Sequence, residues 1–405
     1  MQTSLADPIK STPQGQEADA ILRACVHCGF CNAVCPTYQL LGDELDGPRG
    51  RIYLIKQALE GQPVGAKTQS HLDRCLTCRA CESACPSGVR YAQLLDIGRD
   101  MVESQNVRPF AERIRRKALR AFIPHARRFA LLLRIGQLLR PVLPPAWRRR
   151  IPPRTTPPAW PAATHPRTML ALEGCAQSAI APNINAAAAR LLDKLGVTLK
   201  YAPGAGCCGA LSRHLDAPLD AQAFARRNID AWWPHIEAGA EALVMTASGC
   251  GVFVKDYGHL LRHDENYAQK AAHVARITKD ISEVLTDMDV EKLKPATARV
   301  SIAFHSPCTL QHGQKLNGVT ERLLEKLGFT LTAVPDAHLC CGSAGAYSIL
   351  QDEIAGQLLD KKLTALQSGT PHLIATANIG CLTHLQTRAN VPVRHWVELA
   401  AEVMD

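Results

Sequence analysis

Two runs of four cysteines constrain this chain more than any other feature. Cys25, Cys28, Cys31 and Cys35 follow the spacing Cys-x2-Cys-x2-Cys-x3-Cys; Cys75, Cys78, Cys81 and Cys85 repeat it, and each run ends on a proline, Pro36 or Pro86. Three thiolates at this spacing wrap successive corners of an iron–sulfur cube, and in two-cube proteins the fourth reaches across to the other cube. The spacing predicts one [4Fe-4S] cluster on Cys25, Cys28, Cys31 and Cys85, and a second on Cys75, Cys78, Cys81 and Cys35, with the two motifs face to face. Zinc fits poorly, because its sites use two separated pairs of ligands and leave the third close cysteine without a role.

The other eight of the sixteen cysteines form two further sets: Cys175, Cys207, Cys208 and Cys250, then Cys308, Cys340, Cys341 and Cys381. The step from Cys175 to the triplet Cys207-Cys208-Gly209 equals that from Cys308 to Cys340-Cys341-Gly342. A pattern that recurs at a fixed offset marks an internal duplication. The flanks agree, since Ala189-Arg-Leu-Leu-Asp-Lys-Leu-Gly-Val-Thr-Leu199 parallels Glu321-Arg-Leu-Leu-Glu-Lys-Leu-Gly-Phe-Thr-Leu331, a helix with a glycine cap leading into a strand. Further strands are expected at 168–172, 242–246, 300–304 and 372–376, each running into a cysteine-bearing loop. Loops at the carboxyl ends of parallel strands are where such sheets bind ligands, so each set could hold further iron–sulfur or act as a redox-active thiol site. Gly204-Ala-Gly206-Cys-Cys-Gly209 formally matches a dinucleotide fingerprint, but the second copy, Asp336-Ala-His-Leu-Cys340-Cys341-Gly342, loses two of its glycines and keeps the cysteines. Neither NAD nor flavin is expected on this chain.

The predicted fold is α+β overall: an N-terminal α-helical ferredoxin-like domain with two [4Fe-4S] clusters, then two repeated α/β Cys-Cys-Gly modules. The expected boundaries are a flexible tail over 1–20, the twin-cluster domain over 21–104, a connector over 105–167, and modules over 168–294 and 295–405. The stretch between the cysteine runs, 36–74, reads as helical, notably 51–60. The connector is Pro-rich, and its span 108–167 holds fifteen Lys or Arg against the single acid Glu112, whereas the whole chain carries a net charge of +9. Arg113, Arg116, Lys117 and Arg120 fall on one face of a helix with Ile114, Ala118, Ala121 and Phe122 opposite, and a Leu-rich helix follows over 126–140 with Trp147 and Trp160 beyond it. That pattern suits peripheral docking on an anionic membrane or packing on a partner subunit, and is not expected to bind nucleic acid. No secretory leader is legible, nor any apolar run of the roughly 20 residues a bilayer requires, so a cytoplasmic chain, peripheral on the inner membrane, is expected.

The twin motifs followed by two Cys-Cys-Gly modules, with Leu22-Arg-Ala-Cys25-Val-His-Cys28-Gly-Phe-Cys31 and Gly47-Pro-Arg-Gly-Arg51, resemble the iron-sulfur subunits of glycolate oxidase. The resemblance covers nearly the whole chain. It implies a membrane-associated complex in which flavoprotein subunits oxidise glycolate to glyoxylate, or D-lactate to pyruvate, while this subunit passes electrons towards quinone; the chain itself would hold no catalytic residue. Similar layouts occur in anaerobic glycerol-3-phosphate dehydrogenase, lactate-utilisation proteins and heterodisulfide reductase. The last family ends its modules in Cys-x-x-Cys, and Ala247 and Asn378 stand at the earlier position here. A disulfide reductase acting at the vicinal cysteines is the alternative function.

Overall fold

The computed structural model describes residues 1–106, 108–156, 158–162, 164–293 and 300–402. The expected boundary at 294/295 and Pro157 of the connector lie outside them. The chain divides into two units, Met1–Lys117 with His338–Leu358, and Ala118–Ala337 with Leu359–Asp405.

The first unit is helical. Helices Pro13–Ala24, Pro48–Leu59, Ala66–Asp73 and Tyr91–Gln105 surround a core in which Leu22, Ile55, Leu59, Leu72, Leu94 and Leu95 are fully buried. Burying each such side chain contributes about 1.5–3 kcal/mol. The expectation of a flexible tail over 1–20 is corrected. Residues Asp7–Lys10 form a helical turn, and the next helix opens on Thr12, whose hydroxyl accepts the Gly15 N–H, with Pro13 at its first position. Its Ala18, Ile21 and Leu22 fall at helical spacing and are buried with Leu5. Helix Pro48–Leu59 approaches the preceding turn so closely that a Cβ on Gly50 would lie 2.2 Å from the Glu44 carbonyl oxygen.

The second unit holds two four-stranded sheets. Strands β1 (Arg167–Ala171), β2 (Val197–Tyr201), β3 (Leu243–Met245) and β4 (Thr278–Asp280) run parallel in the order β2-β1-β3-β4. Strands β5 (Ser301–His305), β6 (Thr330–Leu331), β7 (Leu373–Thr376) and β8 (Val393–His395) repeat it as β6-β5-β7-β8, again parallel. The inner strands β1, β3, β5 and β7 carry consecutive buried residues, as strands covered on both faces do, while the edge strands β4 and β8 are mostly polar. One core spans both repeats: Met169, Leu191, Leu192 and Val197 of the first copy pack with Ile302, Phe304, Leu323 and Trp396 of the second.

A buried polar seam joins the repeats. The Ser248 N–H donates to the Ala377 carbonyl at 3.2 Å, the Asn378 amide donates to the Ser248 hydroxyl at 3.1 Å, and that hydroxyl lies 2.8 Å from that of Thr309. His395 Nε2 donates to the Thr246 carbonyl at 2.9 Å, while its Nδ1 accepts the Val397 N–H at 3.3 Å, which fixes a neutral imidazole. Burial holds the His395 pKa down from 6.5 to about 4.

Two outcomes follow from this packing. Gly50→Ala should cost about 1–3 kcal/mol through overpacking, outweighing the helical preference of alanine, and an unchanged thermal midpoint would contradict the close approach. Because His395 titrates lower when folded than unfolded, its contribution to stability is complete above pH 6.5 and is lost as pH falls towards 4. His395→Gln should flatten that part of the stability-versus-pH profile measured by denaturant unfolding.

Candidate functional site

The first cysteine run leaves helix Pro13–Ala24 at Cys25, and the second leaves helix Ala66–Asp73 just before Cys75. Each then turns through left-handed backbone at equivalent places, His27 (φ 57°) and Gly29 (φ 84°) in the first, Thr77 (φ 54°) and Arg79 (φ 60°) in the second. A β-branched residue at positive φ is strained, so Thr77 marks a conformation imposed by the site and not by local preference. Single helical turns, Phe30–Ala33 and Ala80–Ser83, then carry Cys31 and Cys81.

Two cavities result. One is lined by Cys25, Cys28, Cys31 and Cys85, the other by Cys35, Cys75 and Cys78, and Cys81, Pro48 and Tyr91 border both. Electrostatics sorts the thiols the same way. Burial, followed by the charges of Cys25, Cys28 and Cys85, pushes Cys31 up to about 11. Burial, with Cys78, Cys75, Glu82 and Cys35, raises Cys81 well above its usual value. Four thiolates gathered in low dielectric repel one another and are poorly solvated, so the arrangement suits polycationic iron, which deprotonates coordinating thiols. The donor set therefore fits two clusters.

Around the second cavity the chain sets a polar shell. The Thr37 hydroxyl lies 3.3 Å from Cys35 Sγ and the Tyr91 hydroxyl 3.7 Å from Cys75 Sγ. Arg51 is fully buried: it donates to the His71 carbonyl at 2.7 Å and to the Thr37 hydroxyl at 3.2 Å, and pairs with Asp46 at 3.5 Å. Asp46 in turn binds Arg74 at 2.8 Å and His71 at 3.0 Å. Sequence reading passed over Thr37, Asp46 and Tyr91, and took Arg51 only as part of a motif. An arginine that lies well away from either cysteine run along the chain leaves no local signal of its burial. Tyr347 was missed too. It belongs to the segment His338–Leu358 of the first unit and donates its hydroxyl to the Arg74 carbonyl at 3.0 Å, next to Cys75.

The sheet order reverses direction between β1 and β3, and between β5 and β7, which is where open parallel sheets form ligand crevices. In the first repeat Cys175 follows β1, Cys207 and Cys208 follow β2, and Cys250 follows β3; the four thiols form a hydrogen-bonded series, Cys175 with Cys207, Cys207 with Cys208 and Cys208 with Cys250. Cys207 and Cys208 are 2% and 3% exposed. In the second repeat Cys308 and Cys381 belong to the second unit, and Cys340 and Cys341 to the first. The glycine of each triplet has a geometric reason: Gly209 and Gly342 lie at φ 99° and 87°, and an added Cβ would meet the Ala221 carbonyl oxygen at 2.9 Å or that of Ala355 at 2.7 Å. His305, beside Cys308 in sequence, is buried with its imidazole 3.0 Å from the Thr376 hydroxyl.

Asp46→Asn should destabilise the first unit by about 3–5 kcal/mol, since it leaves the buried Arg51 without its carboxylate. Denaturant unfolding measures this, and a loss within the range of a surface change would remove Asp46 from the support of the site.

A 4Fe-4S dicluster domain matches residues 21–89, and a cysteine-rich domain matches twice, at 169–255 and 302–386. The chain is 56% identical over 406 aligned residues, all of both chains, to the glycolate oxidase iron-sulfur subunit of Escherichia coli (strain K12). It is 31% identical to the probable glycolate oxidase iron-sulfur subunit of Bacillus subtilis (strain 168), over 89% of this chain and 88% of that one. Over 51% of its length it is 27% identical to lactate utilization protein A of Bacillus licheniformis, covering 85% of that protein. Twin cysteine-lined cavities on helices, a duplicated Cys-Cys-Gly sheet and end-to-end similarity lead to one assignment: the chain belongs to the family of glycolate oxidase iron-sulfur subunits.

Proposed function

We propose that this chain is the electron-transfer subunit of a glycolate-oxidising complex. It takes electrons from a flavoprotein partner that converts glycolate to glyoxylate, or D-lactate to pyruvate, and delivers them towards a quinone at the cytoplasmic face of the membrane. The observation that carries this reading is the pair of cysteine-lined cavities with Cys81, Pro48 and Tyr91 as a common wall. Cys25, Cys28, Cys31 and Cys85 would hold one [4Fe-4S] cluster, and Cys35, Cys75, Cys78 and Cys81 the other. Each cluster supplies a one-electron couple when bound.

The chain's own residues set the conditions for that couple. Tyr91 donates its hydroxyl to Cys75 Sγ, Thr37 donates to the Asp46 carbonyl within contact of Cys35 Sγ, and buried Arg51 adds a fixed positive charge beside Cys35 and Cys75. Arg51 and Tyr91 favour negative charge at the second cavity, as Arg49 beside Cys31 does at the first. Cys175, Cys207, Cys208 and Cys250 would be a further iron–sulfur site, and for Cys308, Cys340, Cys341 and Cys381 the same reading rests on their repeated spacing in the sequence. Disulfide reduction at the vicinal cysteines has burial against it, because exchange requires a substrate sulfur to touch a thiolate. For Cys207 the hydrogen bond from Cys175 works the other way, but that to Cys208 and burial push the thiol up to about 12.

Contact with the membrane would be peripheral. No helix among the described residues is long and apolar enough to cross one. Leu131, Leu138, Leu139, Val142 and Trp147 nevertheless stand exposed among the arginines of the connector.

In the assembled complex, Cys78→Ser should bring glycolate-dependent quinone reduction to background while glycolate still bleaches the partner's flavin. Undiminished quinone reduction would rule the relay out. About eight iron atoms per chain would confine clusters to the twin motifs, and about twelve or sixteen would extend them to the Cys-Cys-Gly sets.

A further inference from the structure

Within the second unit, helix Ala126–Leu139, the 3-10 turn Arg140–Val142 and helix Pro145–Arg150 double back on one another. The Gln137 amide donates to the Pro152 carbonyl and Arg140 Nε to the Ile151 carbonyl, both at 3.1 Å, which ties the returning chain to the long helix. Between them lies a cavity of about 650 Å³ whose walls include Arg134, Arg140, Arg148 and Arg154, with Leu138 and Pro141. That volume is in the range of small-ligand sites.

Four arginines lining one cavity repel each other, and no acid nearby in the sequence offsets them. From residue 113 to 172 the sequence contains no Asp or Glu, and no carboxylate pairs with any of the four among the described residues. An anion removes that repulsion, and the planar fork of arginine matches phosphate oxygens two at a time. The rim selects the kind of phosphate. Leu138 is 80% exposed, Val142 79% and Trp147 65%, all on the same hairpin. A water-soluble anion leaves these side chains in solvent. A phospholipid fills the cavity with its phosphate and covers the rim with its acyl boundary, where tryptophan and leucine are favoured.

We infer that this cavity is a binding site for the phosphate of an anionic phospholipid. The inference rests on the membrane-surface reading above and narrows it to four arginines. Charges elsewhere on the connector attract the surface by sign alone, whereas these four converge on one headgroup.

The test uses the full-length, cluster-loaded chain in flotation with phosphatidylcholine vesicles, with and without phosphatidylglycerol. The wild type should float only with the anionic vesicles. Arg134→Gln with Arg148→Gln should weaken that binding well beyond the roughly fivefold per arginine that charge near an anionic surface contributes by sign alone. Arg127→Gln with Arg149→Gln removes the same charge from residues outside the cavity and should cost much less; Arg134→Lys with Arg148→Lys, which keeps the charge and loses the fork, should fall between. Equal losses in the two glutamine pairs would overturn the cavity as a site while leaving general membrane attraction standing. A wild type that floats with neither vesicle would overturn both, and so would release by a nucleic-acid competitor at constant salt. Inorganic phosphate that displaces the protein far better than chloride at equal ionic strength would show a soluble anion as the ligand and overturn the lipid assignment.

Discussion

Mutual repulsion among gathered thiolates is the constraint around which the rest of the first unit is arranged. Cys31 and Cys81 are held in cavities where burial opposes ionisation and where neighbouring thiols, joined at Cys81 by Glu82, add to that cost. A fold with this local penalty needs rigid support, and it has it in the helices that flank each run and in the leucine core beneath them. Left-handed turns at His27 and Thr77 are part of the same cost, accepted because they bring successive thiols to one point. An arginine tempers the charge at each cavity, buried Arg51 beside Cys35 and Cys75 and the more exposed Arg49 beside Cys31, so the two differ in how far that charge is shielded by solvent.

The second unit meets a similar problem with different means. Parallel strands lead to Cys175, Cys207, Cys208 and Cys250 beside the point where the sheet order reverses, and Gly209 lets its loop pass within contact distance of a helix backbone. Both sheets draw on one apolar core, and the polar seam around Ser248, Asn378 and His395 fixes how they meet. Apolar packing alone tolerates sliding; a set of directional bonds with each donor matched does not.

Much of this was legible because ligand chemistry imposes short, fixed spacings. Cysteine runs, Cys-Cys-Gly triplets and the strands leading to them are local patterns, and strands expected at 168–172 and 372–376 occur at Arg167–Ala171 and Leu373–Thr376. The first helix was misread as a tail because its polar composition hid a helical pattern at Ala18, Ile21 and Leu22, although Thr12-Pro13 was a usable start signal. What surrounds sulfur was not legible. Thr37, Asp46, Arg51 and Tyr91 come together through helix packing, and Tyr347 arrives from beyond both sets of parallel strands that open the second unit's modules. Nothing in a residue's neighbours along the chain records such encounters.

Cys31 and Cys85 line the same cavity although helices Pro48–Leu59 and Ala66–Asp73 both lie between them in sequence. During synthesis at about 5–20 residues per second, the first three thiols of that cavity therefore wait roughly three to ten seconds for their fourth. The reverse does not hold: Cys35 is already made when Cys75, Cys78 and Cys81 emerge. The two cavities are thus completed almost together, at Cys81 and then Cys85. Cross-connection turns two separate sites into one assembly event.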